Sequence, residues 1–165
     1  MIIHPIAPVF DANSRILILG SFPSVRSREV GFYYGHPQNR FWRLISDICG
    51  EALPYDNESK TALLLNNGIA LWDVIGSCEI TGSSDTSIRN VKVNDISIIT
   101  NSADIKAVFL NGKTAEKYFA KYVFAQTEAE HYTLPSTSPA NAAYSYERLL
   151  DIWSESISRY IIKTV

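Results

Sequence analysis

Two hydrophobic patterns alternate along this chain: short apolar runs that end on a small or polar residue, and longer stretches in which apolar positions recur every three or four residues. Arg15 to Gly20, RILILG, has no polar break before its glycine, as expected of a strand buried on both faces. Phe41 to Gly50, FWRLISDICG, sets Phe41, Leu44, Ile45 and Ile48 at helical spacing and stops on glycine. Ser59 to Gly68, SKTALLLNNG, predicts a second helix with the same kind of stop, followed by a strand-like IALWDVI over Ile69 to Ile75. Val93 to Thr100, VNDISIIT, reads as a short helix capped by Asn94. Ile105 to Gly112, IKAVFLNG, is again a buried strand, and the helical KTAEKYFAKYVF follows at once, with Thr114 placed to start it. EHYTL, Glu130 to Leu134, is a last strand before a Ser/Pro loop. From Ala143 to position 162 an amphipathic helix offers Leu149, Leu150, Ile152, Trp153, Ile157 and Ile161 to the core.

Strands alternating with helices imply an α/β fold, a mostly parallel sheet covered on both faces. Ligands of such folds sit beyond the carboxyl ends of the strands. That rule selects three loops: GSFPSVRS from Gly20, LNGK from Leu110 and LPSTSPAN from Leu134. All three carry small, rigid or amide-bearing residues.

Composition bounds the function classes. With 165 residues the chain is expected to form one domain over 1–165, and 46% hydrophobic with 19% charged residues is the balance of an ordinary globular protein. The opening MIIHPIAPVFDANSR has no basic segment followed by a long apolar core, so the cytoplasm is the expected compartment. Two cysteines, Cys49 and Cys78, are too few for a disulfide scaffold or a cluster and are expected to be reduced and buried. The three histidines, His4, His36 and His131, show no metal spacing, so no metal is expected. A net charge of −2 argues against coating nucleic acid by bulk charge. Locally, Arg26, Arg28, Arg40 and Arg43 stand against Glu29 alone, interleaved with aromatics, which suits either a solvated face or a polyanion that carries bases.

The densest chemistry is FYYGHPQNRFW, Phe32 to Trp42. Phe41 and Trp42 open a helix and are expected in the core, and His36-Pro37 forms a rigid turn. Tyr33 and Tyr34 offer an aromatic face and Asn39 an amide, the two things a flat base drawn out of a nucleic-acid stack must meet. Phosphate loops and nucleophile elbows are absent, since neither G-x-x-x-x-G-K nor G-x-S-x-G occurs. Ser24 or Ser136 with His131 would be the parts of a serine hydrolase, a weak alternative.

GSFPS, FYYGHPQNRFW, LLLNNGIALWDVI, GSSDTSI, VFLNGK and LPSTSPAN, in this order, resemble the hypoxanthine-DNA glycosylase group of the uracil-DNA glycosylase superfamily, from about Arg15 to the last helix. The resemblance implies a three-layer α/β/α sandwich, no cofactor, damaged DNA as partner, and hydrolysis of the N-glycosidic bond of a deaminated base; a monomer is expected because the sequence leaves no obvious apolar stripe unassigned. Where mismatch-specific relatives hold a water-positioning Asn in the first loop, this chain has Phe22; where most members begin the last motif with His, it has Leu134. The resemblance transfers the water to Asn39 and the stacking face to Tyr34. Phe22, Gly68 and Asn111 join Tyr34 as expected base-binding residues, with backbone N–H groups near Phe22 to Ser24 and Gly68 to Ala70 facing the departing base. Ser24, Lys113, Ser136 and Ser138 are expected at DNA phosphates. Asp85 has no assigned role, and no wedge is identifiable among Thr137, Pro139 and Ala140. Competing readings are a uracil or mismatch-thymine glycosylase, and a silent base-binding module whose Asn39 only caps the following helix.

Overall fold

Residues 1–161 are described by the computed structural model, so position 162 of the predicted last helix lies outside the described residues. The elements run β1 (Ile2–Ile3), β2 (Ile16–Gly20), α1 (Val25–Val30), α2 (Phe41–Cys49), α3 (Asn57–Asn66), β3 (Ile69–Asp73), β4 (Ile75–Glu79), β5 (Arg89–Val93), α4 (Ser97–Thr100), β6 (Ala107–Asn111), α5 (Lys113–Tyr122), β7 (Glu130–Leu134) and α6 (Tyr146–Ile157). The main sheet is parallel throughout, in the order β3-β2-β6-β7. Every residue of β2, β3 and β6 is buried, as apolar runs without alternation require, whereas β7 forms an edge and is exposed up to Leu134. Phe41, Trp42, Leu149, Trp153 and Ile157 enter the core, and Cys49 and Cys78, which form no disulfide, are both buried.

A second, antiparallel sheet of β1, β4 and β5 was not expected. The strand-like IALWDVI is two strands broken at Val74, where the chain leaves one sheet for the other. Asn94 does not cap α4. Its side-chain Nδ2 donates to the carbonyls of Asp73 and Ile75 at 2.9 and 3.3 Å, pinning that break, while Asp95 Oδ1 takes the Ser97 N–H at 3.0 Å. The predicted second helix begins earlier, where Asp56 and Ser59 form a reciprocal capping box. Thr114 does not start α5: Gly112 occupies the cap with φ 97°, a conformation that suits glycine. The last helix stops at Ile157 and gives way to a 3₁₀ turn over Ser158–Tyr160, against which Ile161 still packs on the core. Among the described residues no helix is long and apolar enough to cross a membrane.

Candidate active site

At the carboxyl ends of the parallel strands lies a cavity of about 510 Å³, walled by the loops after β2, β6 and β7 together with Tyr34, Asn39 and Asp73. Strand register sets its floor. Gly20 lies opposite Asp73, and Asn111 opposite Leu134, so Asp73, Gly20 and Asn111 stand side by side across the sheet end. Gly20 is required there by contact: a Cβ would lie 2.5 Å from Asp73 Oδ1 and 2.8 Å from the Tyr34 hydroxyl. Gly20→Ala is therefore expected to destabilise the protein by about 1–3 kcal/mol through overpacking, read as a lower urea midpoint with an unchanged slope.

Tyr34 is held in an uncommon backbone conformation, φ 52°, which a non-glycine residue keeps only when its surroundings impose it. Its ring stacks on Phe41 at 4.2 Å and 24°, and its hydroxyl accepts from Asn111 Nδ2 at 3.1 Å. Burial of the hydroxyl, and next the charge of Asp73, push the Tyr34 pKa far up, while the Asn111 hydrogen bond opposes them. The phenol is thus neutral at any physiological pH. Tyr33 turns the other way, into the core, with its hydroxyl donating to the Ala7 carbonyl at 2.7 Å.

Asn39 is half-buried at the cavity wall, and its Oδ1 accepts the Phe41 N–H at 2.9 Å. Asn39 thus borders the cleft and also satisfies the start of α2. The Phe41 contact identifies which end of the amide is oxygen and leaves Nδ2 and one Oδ1 lone pair for other partners. His36 supports the turn, its carbonyl accepting the Asn39 N–H at 2.9 Å.

The Asn111 amide is spent on the protein. Besides Tyr34, Nδ2 donates to Thr137 Oγ1, and Oδ1 accepts the Thr137 N–H, each at 3.1 Å. It ties the last loop to the stacking tyrosine. Phe22, 9% exposed, lies edge-on to His4 at 5.8 Å and forms an apolar wall. The N–H groups of Phe22 and Ser24 have no acceptor among the described residues. Gly68 is placed elsewhere. It precedes β3, at the amino end of the sheet, where its carbonyl accepts from Arg15 and Ile16. A parallel strand separates its two ends by its whole length, so neither Gly68 nor Ala70, early in β3, reaches the cavity.

Ser24, Lys113, Ser136 and Ser138 all line the cavity. Ser24 caps α1, accepting the Ser27 N–H, and gives its own proton to Ser27 Oγ. The Ser136 and Ser138 hydroxyls accept the N–H groups of Ser138 and Ala140, which leaves their O–H protons to donate outward. Lys113 is exposed at the amino end of α5, where ammonium and helix dipole would favour an anion together. Asp85 borders the same cavity, and burial raises its pKa, an effect that the nearby Thr114 and Ser21 hydroxyls offset only in part.

The basic window divides differently from expectation. Arg28 donates to the Gly82 carbonyl at 2.7 Å, and the Arg43 guanidinium sits 3.7 Å from the Tyr146 ring centroid. Arg40 sends its guanidinium to the carbonyls of Thr137, Ser138, Asn141 and Tyr144. The contact of Arg40 with the loop of the wholly buried Thr137 is one that residue types alone did not single out. Asp73 also lines the cavity unannounced, and an acid closing the apolar run IALWD was the available signal.

Residues 7–156 match the Uracil DNA glycosylase superfamily. The chain belongs to that superfamily. It is 38% identical over 154 residues to the hypoxanthine DNA glycosylase of Methanosarcina barkeri, covering 92% of this chain and 96% of the relative. Identity to the hypoxanthine DNA glycosylase of Methanosarcina acetivorans is also 38%, over 144 residues, 85% of this chain and 89% of the relative. A solution NMR structure from Methanosarcina acetivorans, described as a candidate uracil DNA glycosylase, superposes with a TM-score of 0.80 at 33% identity over 93% of this chain and 95% of that one. The fold is thus shared with that structure across nearly the whole chain.

Proposed function

We propose that this superfamily member is a monofunctional DNA glycosylase that hydrolyses the N-glycosidic bond of a deaminated base, hypoxanthine first, and leaves an abasic site. The observation that carries this reading is the meeting of Asn39 and Tyr34 at one cavity between the first and last loops. Tyr34, backed by Phe41, supplies the stacking surface for a flipped base, whose extrusion costs a few kcal/mol of unstacking. Ser136, Ser138 and Lys113, with the amino end of α1 capped by Ser24, face the flanking phosphates.

Glycosidic cleavage passes through an oxocarbenium-like sugar, so bond breaking runs ahead of attack and the water needs orientation more than deprotonation. A neutral amide suffices for that, which is the role of Asn39. Charge appears on the departing base, and the backbone donors of Phe22 and Ser24 stabilise it beside the apolar Phe22 wall.

The test is single-turnover cleavage of end-labelled duplexes carrying one deoxyinosine, one deoxyuridine or only normal bases, each developed with alkali. Deoxyinosine is expected to give an alkali-dependent break, with deoxyuridine slower and normal DNA intact. Faster deoxyuridine cleavage would make the protein a uracil enzyme. The bond from Asn39 to Phe41 N–H also suits a silent base-binding module, and a folded protein that cleaves none of the duplexes establishes that reading instead.

A further inference from the structure

One buried group at the cavity is idle in the reaction as described. Asp73 closes β3, is 3% exposed and lines the cavity. Behind it, His4 places Nε2 2.8 Å from Asp73 Oδ2, with the two side chains only 3% and 4% exposed. The Ile6 N–H donates to His4 Nδ1 at 3.2 Å, so Nδ1 is the accepting nitrogen and Nε2 carries the hydrogen. One Asp73 oxygen is therefore occupied. The other, Oδ1, lies over Gly20 on the side of the Tyr34 hydroxyl, in room that only the lack of a side chain at that glycine allows.

Building on the glycosylase reading, we propose that Asp73, aimed by His4, determines base specificity by accepting the ring N–H of a lactam base, that of hypoxanthine above all. The chemistry is one of sign. In hypoxanthine the ring nitrogen next to the carbonyl carries a hydrogen; in adenine the same nitrogen is a bare acceptor. A carboxylate oxygen only accepts, so it pairs with the first and faces the lone pair of the second. A buried reader left unpaired is what makes hydrogen-bonding sites strongly selective. Guanine shares the ring N–H and adds a neighbouring amine, and a carboxylate with both oxygens open would take the two together. His4 already holds Oδ2, which withholds that second contact. His4 is thus a positioning residue whose effect is seen in the ratio of guanine to hypoxanthine.

Asp73→Asn tests the assignment with almost no change of shape. The pinned His4 Nε2–H needs an oxygen, so the amide must turn its carbonyl to His4 and its NH₂ to the cavity, a donor where an acceptor stood. Deoxyinosine cleavage is expected to fall ~10- to 100-fold, the loss of one hydrogen bond to a charged group. Binding of free hypoxanthine, 1-methylhypoxanthine, adenine and guanine, followed by tryptophan fluorescence, is read in parallel and needs no catalysis. Native protein is expected to bind hypoxanthine at least ~10-fold more tightly than either adenine or 1-methylhypoxanthine, and Asp73→Asn to lose that preference. In His4→Phe guanine should gain on hypoxanthine, whereas a merely structural histidine would weaken both alike. Equal binding of hypoxanthine and its 1-methyl form by the native protein overturns the proposal even if no variant folds; so does an unchanged preference in a folded Asp73→Asn, or failure to bind any base. Native protein that shows the base preference but cleaves nothing would overturn the catalytic reading and support this one.

Discussion

Asn39→Ala is expected to lower single-turnover cleavage of deoxyinosine DNA by ~10²- to 10³-fold, the usual consequence of removing one preorganised polar group from a transition state. The same substitution also strips an acceptor from the Phe41 N–H, and satisfying the start of a helix is typically worth about 1 kcal/mol. Asn39→Ser separates the two effects. A serine hydroxyl can make the same short turn to the helix start, yet it is too short to replace the amide at the cavity wall. The serine variant should therefore melt close to the native protein while cleaving as poorly as the alanine variant. If serine restores cleavage, Asn39 acts only as a cap, and the water is oriented by another group.

The parts of this fold that were legible in the sequence are those whose burial is one-sided or complete. β2, β3 and β6 have no polar face, so their runs carry an unbroken apolar signature, and α2 shows its buried stripe at helical spacing. The antiparallel sheet left no such trace. β1 has two residues, and RNVKV of β5 is largely exposed, so pairing with β4 rather than burial makes them strands. Asn94 looked like a cap because Asn favours both helix starts and irregular backbone, and the break between β3 and β4 competed for it. Gly68 was drawn to the site by its motif, although strand direction places it at the wrong end of the sheet. Tyr34, Asn39 and the Ser/Pro loop were visible because their residue types suit the proposed chemistry. The link between them was not, because its partners are backbone carbonyls about a hundred positions away, and any residue can present those.

That link makes Arg40 the second position of large effect. Its main-chain N–H and its guanidinium both donate to the Thr137 carbonyl, at 3.1 and 3.4 Å, and the fork continues to Ser138 at 2.9 Å, Asn141 at 3.1 Å and Tyr144. Thr137 is fastened in turn to Asn111, and Asn111 to the Tyr34 hydroxyl, so the arginine sets the loop and, through it, the stacking face. Arg40→Ala leaves these part-buried carbonyls without their charged donor. Stability should fall by about 3 kcal/mol, or ~6–12 °C in Tm for a chain of this size. Cleavage should fall ~10²- to 10³-fold below the unfolding range, because misplacing positioning groups by an ångström is costly. Arg40→Lys recovers little, since a compact ammonium cannot span carbonyls that a planar fork reaches together. The salt dependence of DNA binding distinguishes this clamp from the phosphate contact that a basic window suggests. A lost phosphate contact would reduce the slope of log affinity against log salt by ~1, whereas a lost clamp weakens binding with the slope unchanged. An unchanged slope with impaired cleavage is the expected result; a shallower slope with native stability would place Arg40 on the DNA backbone instead.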